Sequence, residues 1–192
     1  MTQQIHATRE EWLLTAIEEV RPLFDANGAK LPDAIRVTCG FPSTASRSGA
    51  IGQAWSSAAS ADKHWEILIS PVLAEPARVM DVLIHELCHT VHGGSAMNHG
   101  KVFGSIAHRM GLAQGTKGWK NTVAGPTFAE MYGVIIDSLG AYPHAPLSMG
   151  QTKKQATRLL KAQCGCGYTI RLTAKWANTG LPTCVCGGAF KI

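Results

Sequence analysis

The sequence predicts an α+β protein in two parts, and three observations carry that expectation. Short alternating stretches, Ile35-Arg36-Val37-Thr38-Cys39 and Trp65-Glu66-Ile67-Leu68-Ile69, are interleaved with runs of helical period, the mixture expected of helices packed on a small mixed sheet. The pattern His85-Glu86-Leu87-Cys88-His89 lies inside one helical run. Two cysteine pairs, Cys164/Cys166 and Cys184/Cys186, follow a stretch punctuated by Pro143, Pro146 and Gly150 and mark a small C-terminal zinc ribbon. The expected organisation is a first domain over residues 1–140, a basic linker over 141–157 and the ribbon over 158–192.

Taken in order, Thr8 and Glu11 form a capping-box signature, after which Trp12, Leu13, Ile17, Val20, Leu23 and Phe24 recur on one helical face until Asn27-Gly28. Residues 35–39 alternate as a half-buried strand, and Gly40-Phe41-Pro42 ends it. A weaker strand spans 51–55. Residues 64–70 read as the best strand, closed by Pro71. Because it leads directly to the motif helix, it is the sequence candidate for an edge that holds an extended peptide, with an ordinary core strand as the equal alternative. Pro76 suits a first helical turn, and Met80, Leu83, Ile84, Leu87, Cys88 and Val91 then form a core face that Gly93-Gly94 ends. Phe103, Ile106, Ala107 and Met110 give a further helix its apolar face. Residues 115–126, with Lys117, Trp119 and Lys120, read as a solvated glycine-rich loop, and 128–139 as one more helix.

The chemistry is concentrated in His85-Glu86-Leu87-Cys88-His89. Residues four apart on a helix lie one above the other, so His85 and His89 can share one metal ion while Glu86 stands beside it as a general base. A catalytic zinc takes three protein ligands and keeps one position open. His99 is the expected third ligand, because a chain that turns at Gly93-Gly94 can bring Asn98-His99-Gly100 back over the metal. His92 is disfavoured, being roughly 10 Å along the axis from His85. Glu130 remains the carboxylate alternative. Residues His92 and Ser95 stand where a metzincin needs glycine and histidine. For a second donor to the reacting carbonyl, Tyr132 and His144 are the candidates, without a specific signal for either.

Charge is unevenly placed. Residues 1–137 hold eleven Lys/Arg and thirteen Asp/Glu, whereas 138–192 hold seven Lys/Arg and no acid. A basic tail with interleaved aromatics points to a polyanion, and Lys153, Lys154, Arg158, Lys161, Arg171, Lys175 and Trp176 are the candidate nucleic-acid contacts. Cys164, Cys166, Cys184 and Cys186 suit one tetrahedral zinc that replaces a core this short segment cannot build, although both pairs are C-x-C where C-x-x-C is usual; a disulfide is the alternative. No apolar run approaches the ~20 residues of a membrane span, and no signal peptide is evident, so a cytoplasmic protein is expected.

These pieces together resemble the SprT-like family of metallopeptidases. The likeness rests on Val82-Leu83-Ile84-His85-Glu86-Leu87-Cys88-His89, on Asn98-His99-Gly100-Lys101-Val102-Phe103, and on a cysteine ribbon introduced by Lys153-Lys154-Gln155-Ala156-Thr157-Arg158. The resemblance implies a zincin-like fold, a catalytic zinc on His85, His89 and His99, catalysis by Glu86, a second zinc in the ribbon, and a protein or peptide substrate. It also implies a link to DNA, because Spartan-type relatives degrade proteins crosslinked to DNA; single-stranded DNA is the form to test. The rival expectation is a nucleic-acid-binding or regulatory ribbon protein whose histidine site is inactive or structural. A third, a non-peptidase metal hydrolase, would need further acidic ligands near the motif.

Overall fold

The computed structural model describes residues 5–45, 49–94, 97–148 and 159–192, with the backbone alone at 92–93. The chain divides into two compact units, residues 1–148 and 149–192, and is mixed α+β throughout.

The first unit begins with α1 (Arg9–Ala26). The Thr8 hydroxyl accepts from Glu11 N, and the Glu11 carboxylate accepts from the amides of Ala7 and Thr8. These contacts use donors that the first turn would otherwise leave unpaired. Trp12, Leu13, Ala16, Ile17, Val20 and Phe24 bury the expected face. The strands β1 (Ile35–Cys39), β2 (Gly52–Trp55) and β3 (Trp65–Ile69) form one sheet in the order β1-β3-β2, β1 parallel and β2 antiparallel to β3. This corrects the sequence expectation for the peptide-holding edge. The strand at 64–70 is central, β1 and β2 are the two edges, and β2 is the edge that borders the histidine cleft. Trp65, Ile67 and Ile69 are all buried, and so apolar a face is best served by a strand paired on both sides.

Helix α2 (Pro76–Thr90) carries the motif. Glu75 caps it by accepting from the amides of Ala77 and Arg78 at 3.0 and 2.6 Å, and every residue from Val79 to Thr90 is buried. A helix buried all round lies inside a protein, so its polar members Asp81, His85, Glu86, His89 and Thr90 need a reason to be there. A 3-10 turn (Val91–Gly94) follows, then α3 (Lys101–Arg109). Residues 115–126, expected as a solvated loop, instead contribute to an antiparallel hairpin of β4 (Leu112–Gly115) and β5 (Gly118–Ala124), after which α4 (Phe128–Leu139) closes the core.

Residues 141–147, read from sequence as the start of a linker, lie against the first unit. Tyr142 is buried edge-on against Trp12, and Leu147 N donates to Pro71 O at 2.8 Å. Arg9, itself buried, donates to the carbonyls of Pro143 and Ala145 at 3.0 and 2.8 Å.

The second unit holds β6 (Leu160–Cys164), β7 (Thr169–Leu172), α5 (Ala174–Thr179) and β8 (Phe190–Lys191), with sheet order β7-β6-β8. Its core is four buried residues, Ala162, Cys164, Cys184 and Phe190, flanked by Ile170, Leu172 and Leu181. Among the described residues no helix is long and apolar enough to cross a membrane.

Candidate metal centres

His85 and His89 stand one turn apart on α2, and the turn after Gly94 returns His99 to them. Ligand nitrogens of the three lie within 4.8 Å of one another, and His85 Nε2 is 3.2 Å from His99 Nε2. Two nitrogens each 2.0–2.1 Å from one tetrahedral zinc would stand about 3.3 Å apart. Burial first, and then the neighbouring imidazoles of His89 and His99, hold His85 at about 3, so its ring is neutral and its Nε2 lone pair is available for ligation. Phe103 from α3 floors the cluster, its ring centroid 4.8, 4.5 and 5.0 Å from those of His85, His89 and His99. The donor set and spacing fit zinc.

The other nitrogen of His85 is also held. Nδ1 is 2.8 Å from Thr122 Oγ1 on β5, a buried contact that fixes the ring's orientation and leaves Nε2 for the metal. Nothing in the sequence singles out Thr122. Its signal is the fold of the hairpin, which brings a residue 37 positions away onto the imidazole. Replacing Thr122 with Val keeps the shape and removes the hydroxyl. It is expected to weaken zinc affinity about 10–100-fold, read by competition with a chromogenic chelator, and unchanged affinity would show that the contact is incidental.

Glu86 faces the cleft beside the histidines and is only 5% exposed. Burial pushes its carboxyl up to about 8. The cleft has a volume of about 640 Å³ and is walled on one side by β2 and residues 49–51, on the other by Lys117, Lys120, Asn121 and Thr122. At Gly52, β2 passes close to the Glu86 carboxylate. A Cβ there would stand 2.3 Å from Glu86 Oε1 and 2.7 Å from Val82 Cγ1, so Gly52→Ala has to displace Glu86. The expected result is a fall in activity of about 100-fold or more with zinc content unchanged by elemental analysis. Retention of activity would mean that Glu86 tolerates displacement and is not the base.

The remaining sequence candidates fall outside the cleft. Glu130 is exposed on α4, and among the described residues the histidine cluster includes no carboxylate. Tyr132 is fully buried, its hydroxyl donating to Met110 O at 3.0 Å. His144 is exposed and does not line the cleft. The side chain of His92 lies outside the described residues.

In the second unit all four cysteines converge, their sulfurs within 4.8 Å of one another. Cys164 Sγ is 3.5 Å from Cys186 Sγ, and Cys166 Sγ is 3.6 Å from Cys184 Sγ. These spacings are far too long for a disulfide and near the about 3.8 Å expected for sulfurs 2.3 Å from one tetrahedral zinc. The short C-x-C pairs work because each is a turn closed by glycine. Gly167 N donates to Cys164 O and Gly187 N to Cys184 O, at 2.9 and 2.8 Å, with φ of +92° and +81° at the glycines, where a side chain would be strained.

Of the candidate nucleic-acid residues, Lys161 and Arg171 are exposed and directly opposite each other on β6 and β7. Lys175 Nζ lies 5.2 Å from the centroid of the Trp176 ring on α5, and Trp176 is exposed. Lys153, Lys154 and Arg158 fall outside the described residues.

Residues 33–124 match the SprT-like family. The matched stretch runs from just before β1 to the end of β5, so it contains the three histidines, Glu86, Gly52 and Thr122, and it stops short of the four ribbon cysteines. The match is consistent with a zinc metallopeptidase-like domain. No curated protein and no solved structure matches the chain.

Proposed function

We propose that this chain, which belongs to the SprT-like family over residues 33–124, is a zinc-dependent endopeptidase that acts on DNA-associated proteins. The observation that carries the reading is the convergence of His85, His89 and His99 in one cleft with the buried carboxylate of Glu86 and the edge strand β2. An ion held by the three histidines would supply Lewis acidity, lowering the pKa of a bound water and polarising a carbonyl. An extended peptide would add to the outer edge of β2, where main-chain hydrogen bonds hold it irrespective of sequence. Glu86 takes a proton from the attacking water as the water oxygen bonds to the scissile carbonyl carbon. Glu86 then gives that proton to the amide nitrogen, the C–N bond breaks, and the second water proton is shed by the new carboxylic acid.

The DNA association is supported by the ribbon. Like charges directly opposite on two strands repel, and the Lys161–Arg171 pair gains from an anion laid across it. Phosphate contacts from these cations with a base stacked on Trp176 would suit a single strand. The test is degradation of casein and of a DNA-binding protein by the zinc-loaded chain, with and without single-stranded DNA. Cleavage stimulated by DNA is the expected result. Normal DNA affinity without cleavage of either protein would favour the binding-module reading and overturn this one.

A further inference from the structure

As a peptide bond is attacked, negative charge grows on the carbonyl oxygen, and a fixed donor aimed at that oxygen is worth about 10²–10³ in rate. Neither Tyr132 nor His144 can serve, since neither lines the cleft. The long or amide donors of the cleft wall are Gln53, Arg78, Lys117, Lys120 and Asn121. Gln53 is held by Ser43, donating to its hydroxyl at 2.9 Å and accepting from its amide at 2.8 Å. Arg78 is engaged by the carboxylate of Asp81. Asn121 is tied into its own hairpin, accepting from Lys117 N at 2.7 Å and donating to Thr116 Oγ1 at 3.3 Å. Lys117 sits in the turn between β4 and β5.

Lys120 is placed differently. It is two residues from Thr122 on β5, so strand alternation puts both on one face, and the Thr122 hydroxyl is the group that meets His85. Lys120 lines the same cleft as His85, Glu86, His89 and His99. Among the described residues no hydrogen bond or ion pair holds the Lys120 ammonium. Its flexible four-carbon stem leaves it able to follow a substrate.

We propose that Lys120 is a further catalytic residue, donating a hydrogen bond to the scissile carbonyl oxygen as that oxygen becomes negative. The assignment rests on the peptidase reading above. No proton is transferred to the oxygen. The ammonium neutralises charge during attack and releases it when the carbonyl re-forms.

The experiment uses the full-length, zinc-loaded chain with Lys120→Met and Lys120→Arg. A fluorogenic peptide gives kcat and KM, and calorimetry gives the affinity of a phosphonamidate peptide, whose anionic tetrahedral oxygens imitate the attacked carbonyl. With zinc content unchanged, Lys120→Met is expected to lower kcat about 100-fold with KM within about threefold. Phosphonamidate affinity should fall at least about tenfold, with partial recovery of both in Lys120→Arg. Two results overturn the assignment while leaving the peptidase intact: kcat within about threefold of wild type, or a raised KM at unchanged kcat, which would make Lys120 a substrate-charge contact only. A zinc-loaded wild type that neither cleaves the peptide nor binds the phosphonamidate overturns the peptidase reading and this assignment with it.

Discussion

Glu86→Gln is expected to abolish peptide cleavage, lowering kcat by about 10³ or more, while the chain keeps its zinc and its thermal midpoint. General-base catalysis by a positioned side chain contributes about 10²–10⁴ in rate, and the amide cannot accept the proton that the carboxylate takes. The substitution is nearly isosteric, which matters at a side chain only 5% exposed and closely approached by Gly52. Stability should not suffer. Burial opposes the charged form of this residue, so an uncharged amide of the same shape removes a desolvation cost. Steady-state kinetics with elemental analysis of the same preparation check the prediction. Proteolysis surviving with zinc in place would mean that another group takes the proton.

The histidine centre was legible because its parts are local. His85 and His89 are one helical turn apart, and the glycine break that returns His99 lies between His89 and His99 in sequence. What surrounds the centre depends on pairing over long sequence distances and was not legible. The hairpin wall reads as a loop because only Thr122 is buried along β5, so the strand has no apolar alternation to announce it. β2 is weaker than β3 by every local measure, yet it is the edge that borders the cleft, since strand order is decided by what covers a buried face and not by propensity. Arg9 in a first turn looks like surface charge. It is buried because carbonyls at 143 and 145 need a donor, which also moves the end of the first unit beyond residue 140. In the ribbon, the unusual C-x-C spacing is accommodated because positive-φ glycines close each turn.

The second large effect concerns metal stoichiometry. Two clusters of ligands are present, one in each unit, so the purified chain is expected to carry about two zinc ions, falling to about one in His99→Ala. A truncation should end after Ser148, because removing residues 141–147 would strip Tyr142 from Trp12 and leave Arg9 buried without its carbonyl partners. That shorter chain is expected to hold one zinc and to fold. The second unit is expected to unfold when chelated: four buried residues, two of them cysteines, cannot offset the conformational entropy of ordering it, so metal binding is its folding free energy. Far-UV circular dichroism of the isolated ribbon with and without a chelator reads this directly. Retention of structure without metal would show that the sheet suffices. One zinc in the wild type, kept in His99→Ala and lost on truncation, would leave only the ribbon metallated and turn the histidine cleft from a catalytic centre into a structural remnant beside a binding module.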